Sequence, residues 1–138
     1  MSGSATAQVN GIDIAYERSG SGPAVVMVMG SGSPGRVWRA HQAPALVSAG
    51  YEVITFDNRG IAPSSECAEG FTLDDMVADT AELIETLGIA PAFVVGTSLG
   101  ARITQELALA RPDLVRAAVM MATYGRTTVP VSYTHLRA

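Results

Sequence analysis

A serine between two glycines is the residue of this sequence best suited to chemistry. The segment Gly96 to Gly100 has the pattern G-x-S-x-G with Ser98 at its centre, and small flanking residues permit a very tight turn. It directly follows a predicted buried strand and leads directly into a predicted helix. A serine at such a turn has a strained backbone, an exposed hydroxyl and a helix N-terminus beneath it that stabilises negative charge. The pattern therefore predicts a nucleophilic serine; the alternative is a tight turn with a solvated serine.

A second glycine-rich segment, Gly30 to Gly35, could cradle a phosphate group. It reads Gly-Ser-Gly-Ser-Pro-Gly, which matches G-x-G-x-x-G, and it follows an apolar run. With Asp57 on a ribose hydroxyl, these residues would form a dinucleotide-binding (Rossmann-like) site. The motif alone is weak, Asp57 comes late for the usual spacing, and a hairpin precedes the strand. This alternative also leaves Ser98 unexplained.

Strands and helices alternate between these segments. Asn10-Gly11 predicts the turn of a hairpin over Val9 to Arg18. The other predicted strands are Ala24 to Met29, Tyr51 to Phe56, Ala92 to Val95 and Val115 to Met121; the predicted helices are Val37 to Ala49, kinked or split at Pro44, then Thr72 to Gly88 with a Thr72–Asp75 capping box, and Leu99 to Ala110. This order predicts an α/β fold: a mostly parallel sheet with an N-terminal antiparallel hairpin and flanking helices.

Composition excludes several classes of protein. The 138 residues correspond to one domain at most, and 48% of them are hydrophobic, enough for a core. The net charge of -4 argues against a nucleic-acid partner, and no basic run indicates a membrane partner. A single cysteine, Cys67, excludes an internal disulfide framework and a multi-cysteine zinc site. No signal peptide or membrane-spanning run is evident, so a cytoplasmic protein is expected.

The last residues do not continue the pattern. Residues 127–138 lack a clear period, contain Pro130 and resemble read-through of a sequencing adapter. We therefore expect one truncated domain over residues 1–126 and an irregular, foreign tail over residues 127–138.

Taken together, the motifs of Val9 to Tyr124 resemble the N-terminal half of the α/β-hydrolase superfamily. Gly96 to Gly100 is similar to its nucleophile elbow. Met29-Gly30-Ser31-Gly32 is similar to the loop that usually reads His-Gly, with Met29 replacing the histidine. Asp57 to Gly60 resembles the family's D-x-R-G turn, and Arg111-Pro112-Asp113 resembles the end of the helix after the nucleophile.

The resemblance implies a site as well as a fold. Ser98 would be the nucleophile, the backbone N–H groups of Ser31 and Leu99 would form the oxyanion hole, and Asp57 and Arg59 would be a structural pair. The substrate would be a small molecule with an ester, lactone or related acyl bond, hydrolysed through an acyl-enzyme. No metal or organic cofactor is implied. A serine nucleophile excludes the branches that use aspartate, among them epoxide hydrolases.

The general base that a serine needs is not found in a recognisable position. The family order is serine, acid, histidine, but only His135, in the suspect tail, follows Ser98. Glu106 and Asp113 do not match the family acid, and His41 precedes the nucleophile and is expected to be structural. The chain by itself is therefore expected to be inactive, its oligomeric state remains open, and a hydrolase-fold protein that binds without catalysis is a third alternative.

Two further expectations concern reactivity and folding. Cys67 lies between Glu66 and Glu69, whose negative charges disfavour a thiolate, so it is a poor nucleophile. A parallel sheet that ends at Val115 to Met121 would leave an apolar edge strand, so the chain alone is expected to aggregate or fold only partly.

Overall fold

The computed structural model describes residues 2–122, in which six strands form one mixed sheet flanked by helices. The predicted tail, residues 127–138, lies outside the described residues. The strands of the sheet are β1 (Ser2–Val9), β2 (Ile12–Gly20), β3 (Ala24–Val28), β4 (Glu52–Phe56), β5 (Ala92–Thr97) and β6 (Val115–Met121). Their order is β1-β2-β4-β3-β5-β6. β2 pairs antiparallel with β1 and with β4. The strands β4, β3, β5 and β6 pair in parallel, which confirms the predicted fold class.

The helices are α1 (Gln42–Ser48), α2 (Leu73–Leu87) and α3 (Leu99–Ala110). The capping box of α2 forms as predicted: Asp75 N donates to Thr72 Oγ1 at 3.1 Å, and Thr72 N donates to Asp75 Oδ2 at 2.8 Å. Gly88 ends α2 in the left-handed conformation, with φ 66°.

The prediction of a helix broken at Pro44 placed the break wrongly. A 3-10 helix covers Gly35–Ala40, the chain turns at His41, and α1 then begins at Gln42. Pro44 is the third residue of α1, where its missing N–H removes no bond within the helix. The hairpin is also longer than predicted, since β1 begins at Ser2 and β2 continues to Gly20.

Alternating residues of the central strands build a core on each face of the sheet. Val26 and Val28 face α2 and α3, where they pack with Leu83 and Ile103. Val25 and Met27 face the other way, toward a smaller cluster that includes the buried Trp38. Parallel pairing of β3 with β4 and with β5 brings the carboxyl ends of these strands to one edge of the sheet.

β6 lies at an edge of the sheet within the described residues. Its apolar residues Val119, Met120 and Met121 are 53%, 44% and 39% exposed. The predicted apolar edge strand is therefore present, while the aggregation expected from it stays a prediction. No helix of the described part is long and apolar enough to cross a membrane.

Candidate active site

Ser98 links the last residue of β5 to the first residue of α3. Its backbone has φ 54° and ψ -120°, a conformation that costs a non-glycine residue about 1–3 kcal/mol. Hydrogen bonds hold both sides of the turn: Ser98 N donates to Met121 O at 2.9 Å, and Ser98 O accepts from Ala101 N at 3.0 Å. The side chain is half-buried at the N-terminus of α3. This is the strained strand-to-helix turn that the sequence predicts.

Gly96 and Gly100 are required by close backbone packing. A Cβ at Gly96 would collide with the carbonyl group of Gly100 and lie 2.5 Å from Thr104 Oγ1. A Cβ at Gly100 would collide with the carbonyl group of Val28 and lie 2.8 Å from Met29 O. The two glycines therefore let α3 approach β5 and β3 closely enough to bring its first turn against the loop that follows β3.

That loop places Gly30 directly beside the serine. A Cβ at Gly30 would lie 3.3 Å from Ser98 Cβ, which leaves no room for a larger residue without movement. Ser31, the next residue, is exposed, and Ser33 N donates to Gly30 O at 3.3 Å within the loop. The structure thus brings the glycine-rich loop and the elbow together at the carboxyl edge of the sheet, the edge at which open α/β sheets bind ligands.

A cavity of about 100 Å³ lies between this loop and α2. Ser31 and Leu99, the two residues predicted to supply oxyanion N–H groups, both line it. Ile61, Phe71 and Met76 form its apolar walls, and Asn58 and Arg59 also line it. The arrangement places an apolar surface beside the two residues predicted to supply backbone donors, and the oxyanion role of these donors remains a prediction.

A larger cavity, of about 450 Å³, lies on the hairpin side of Asp57. Tyr16, Arg36 and Thr55 are among its lining residues, as are Glu17 and Arg39, which form an exposed ion pair at 2.6 Å. Ser98 lines neither cavity, but Ser31 and Leu99 line only the smaller one, which is therefore the better candidate for the chemistry.

The predicted structural pair of Asp57 and Arg59 is wrong in its partners. Asp57 Oδ1 accepts from Gly35 N at 2.8 Å, whereas Arg59 binds Asp79 through two hydrogen bonds, Nε to Oδ2 at 2.6 Å and Nη2 to Oδ1 at 2.7 Å. The chain turns between Asp57 and Arg59, so Asp57 contacts the glycine-rich loop and Arg59 contacts α2. The bond to Gly35 also opposes the dinucleotide alternative, because Asp57 is engaged by the loop itself.

The Arg59–Asp79 pair is buried, with the two side chains 9% and 2% exposed. Asn10 Nδ2 donates to Asp79 Oδ1 at 3.0 Å, so α2, the loop after β4 and the hairpin turn meet at one carboxylate. The hydrogen bonds that Arg59 donates to the Asp79 carboxylate raise the pKa of Arg59 above its ordinary value. Sequence reasoning missed Asp79, although its position three residues after Met76 and four before Leu83 placed a charge on the apolar face of α2.

The remaining titratable candidates lie away from Ser98 or outside the described residues. His41 is exposed between the 3-10 helix and α1. Asp113 forms an ion pair with Arg111 at 2.9 Å just before β6 begins, at the amino edge of the sheet. The seven residues of β6 span roughly 23 Å, so Asp113 is far from the elbow. Glu106 belongs to α3, Cys67 to the loop before α2, and His135 lies outside the described residues.

Comparison with known proteins agrees with this geometry. The family model of the alpha/beta hydrolase fold matches residues 23–137. BpoC of Mycobacterium tuberculosis, named as a candidate non-heme bromoperoxidase, is 59% identical over 115 residues, covering 83% of this chain and 44% of that protein. Its crystal structure superposes with a TM-score of 0.79 and is covered to 42%.

Two further relatives show how varied the family is. The candidate carbamate hydrolase RutD of Azorhizobium caulinodans is 32% identical over 114 residues, covering 83% of this chain and 42% of that protein. The structure of epoxide hydrolase VrEH1 from Vigna radiata is 31% identical with a TM-score of 0.86, covering 94% of this chain and 43% of the other. The chain spans less than half the length of these relatives. By its sheet order, its elbow and these matches, the chain belongs to the alpha/beta hydrolase fold family.

Proposed function

We propose that this chain is part of a serine hydrolase in which Ser98 is the nucleophile for an ester, lactone or related acyl bond. Ser98 Oγ attacks the acyl carbon and its proton passes to a general base. The N–H groups of Ser31 and Leu99 hold the resulting oxyanion. The leaving group departs with a proton, and water then releases the acyl group from the serine as a carboxylic acid.

The backbone of Ser98 is the observation that carries this proposal. The combination of φ 54° with ψ -120° places Ser98 outside the ordinary allowed regions, and such strain concentrates at functional sites. This conformation is enforced by the packing of Gly96 against Gly100 and of Gly100 against Val28. The exposed loop residue Ser31 and the apolar walls of the adjoining cavity suit a neutral acyl group.

The base and the acid belong elsewhere in the proposed enzyme. Within residues 2–122, His41 is the only histidine, and it is exposed before α1 and does not line the cavity formed by Ser31 and Leu99. Asp113 is paired with Arg111 at the opposite edge of the sheet. A protein of the relatives' length has room for both missing groups, so the chain by itself is expected to turn over little substrate.

The test uses the complete protein that contains this chain. A fluorophosphonate probe should label the wild type at Ser98, and Ser98→Ala should abolish both labelling and hydrolysis of p-nitrophenyl acetate. Ser48→Ala, an exposed serine at the end of α1, is the matched control and should retain both. Retained hydrolysis in Ser98→Ala would refute the nucleophile, and an unlabelled, inactive wild type would favour the non-catalytic alternative.

A second candidate activity follows from the 59% identity with BpoC, a candidate non-heme bromoperoxidase. An acyl-enzyme can pass its acyl group to hydrogen peroxide instead of water, which yields a peracid that oxidises bromide. Bromination of a dye by the complete protein with peroxide, acetate and bromide tests this. Activity that is lost in Ser98→Ala supports it, and ester hydrolysis without bromination excludes it.

A further inference from the structure

Two consecutive side chains hold the glycine-rich loop at its two ends. Asn58 Nδ2 donates to Met29 O at 3.1 Å, just before the loop, and Asp57 Oδ1 accepts from Gly35 N at 2.8 Å, at its last residue. We propose that Asn58 and Asp57 are positioning residues that fix the Ser31 N–H as an oxyanion donor. This inference rests on the proposed function of Ser98.

Both side chains are themselves held in place. Asn58 is 3% exposed, so its amide group is confined by packing. Asn58 O accepts from Ile61 N at 3.0 Å, and Asp57 O accepts from Ser64 Oγ at 2.6 Å. Ser64 Oγ in turn accepts from Ala15 N of β2 at 2.8 Å. These two side chains, the clamp, are therefore anchored through the loop after β4 to the hairpin, so they have supports outside the glycine-rich loop.

The clamp acts on the backbone next to the donor. Met29 O belongs to the peptide unit that precedes Gly30, and the N–H of Ser31 belongs to the unit that follows it. Only the two dihedral angles of Gly30 separate these peptide planes, and glycine resists rotation less than other residues. The bond to Asn58 holds the first of these planes through Met29 O, and the hydrogen bond from Ser33 N to Gly30 O at 3.3 Å holds the second. The direction of the Ser31 N–H is thus tied to Asn58.

Loss of the clamp should lower kcat and leave KM nearly unchanged. An oxyanion donor acts mainly in the transition state, and loss of one costs about 10²–10³-fold in kcat. A donor that is displaced but still present should cost less. We therefore expect the loss of the Asn58 bond to lower kcat by about 10–100-fold with little change in KM, because ground-state binding does not use the oxyanion.

The test compares two substitutions of an amide side chain by a carboxylate in the complete protein. Asn58→Asp keeps the size of the side chain but replaces the donor with an acceptor that repels Met29 O. Gln42→Glu makes the same chemical change at an exposed residue of α1 and is the matched control. With p-nitrophenyl acetate, Asn58→Asp should lose about 10–100-fold in kcat at constant KM, while the control should stay within about twofold.

The other end of the clamp supplies a second pair of variants, in case Asn58→Asp does not fold. Asp57 is only half-buried, and Asp57→Asn keeps an oxygen that accepts from Gly35 N, whereas Asp57→Ala does not. We expect near wild-type kcat in Asp57→Asn and a several-fold lower kcat in Asp57→Ala. Hydrogen exchange of the peptide that covers residues 29–35 should accelerate in Asn58→Asp and Asp57→Ala alone.

The outcomes separate the two proposals. Wild-type kcat in folded Asn58→Asp and Asp57→Ala would overturn the positioning role, even if both proteins melt at lower temperature. Equal losses in kcat for Asp57→Asn and Asp57→Ala would also overturn it. A wild type without Ser98-dependent turnover would refute the proposed function and the oxyanion role with it, and hydrogen exchange would still report whether the loop is clamped.

Discussion

The buried Arg59–Asp79 pair predicts a large loss of stability when one partner is removed. Asp79→Ala leaves the Arg59 guanidinium, 9% exposed, without its counter-charge. It also removes the acceptor of three hydrogen bonds, two from Arg59 and one from Asn10. Breaking such a pair by removing one partner costs about 3–5 kcal/mol. With a urea dependence of about 2 kcal/mol per molar, the unfolding midpoint should fall by roughly 1.5–2.5 M.

The measurement is urea unfolding followed by tryptophan fluorescence at low protein concentration. Trp38 is the single tryptophan and is 3% exposed, so its emission reports loss of the core. Asp74→Ala, at an exposed position in the first turn of the same helix, is the matched control and should shift the stability by about 0.5 kcal/mol or less.

A double-mutant cycle isolates the interaction between the two charges. Arg59→Met leaves Asp79 buried without its cation, and the double variant Arg59→Met/Asp79→Ala leaves neither charge. The double variant should therefore lose about 1–3 kcal/mol less than the sum of the single losses. Strict additivity, or a loss below about 1 kcal/mol in Asp79→Ala, would show that water screens the pair and that it does not anchor the loop after β4.

Three further predictions follow from the elbow, the α2 cap and the edge strand. Gly100→Ala should destabilise the chain by about 1–3 kcal/mol or more, because its Cβ would meet the carbonyl group of Val28; an unchanged melting temperature would contradict this. The hydrogen bond from Thr72 N lowers the pKa of Asp75. The stability that the ionised Asp75 carboxylate contributes is therefore complete above the ordinary pKa of 3.8 and is lost as pH falls through the lowered pKa. The melting-temperature gap between wild type and Asp75→Ala should therefore close in acid, and a gap constant with pH would refute the cap. The chain alone should self-associate through β6, and Val119→Lys should reduce the associated fraction in light scattering; a monomeric wild type would contradict this.

The elbow could be predicted from sequence because its requirements are local. Gly96, Ser98 and Gly100 are adjacent in the chain, and the elements on both sides have clear apolar patterns. The limits of α3 and β6 match the structure, and the cap of α2 forms between the two predicted residues. In each case the local backbone geometry requires particular residue types a few positions apart, and a sequence pattern shows such requirements directly.

The clamp and the buried ion pair could not be predicted in this way. Asn58 meets Met29 at a separation of 29 residues, and Arg59 meets Asp79 at a separation of 20. These pairings depend on which strands become neighbours and on how far each loop turns, and no periodicity encodes either. The wrong pairing of Asp57 with Arg59 has the same origin, since closeness in sequence was taken for contact in space.

The geometry of the site also depends on the edge of the sheet. Ser98 N donates to Met121 O, the last residue of β6, so the strained turn is closed on one side by an exposed edge strand. A strand end with one neighbour frays more readily than a central strand. Holding Ser98 at φ 54° costs about 1–3 kcal/mol, and the Met121 bond adds to the packing of Gly96 and Gly100 that enforces this conformation. We therefore expect that an element packed on β6 would not only bury Val119 and Met121 but also help to hold the candidate nucleophile in the conformation that the proposed reaction needs.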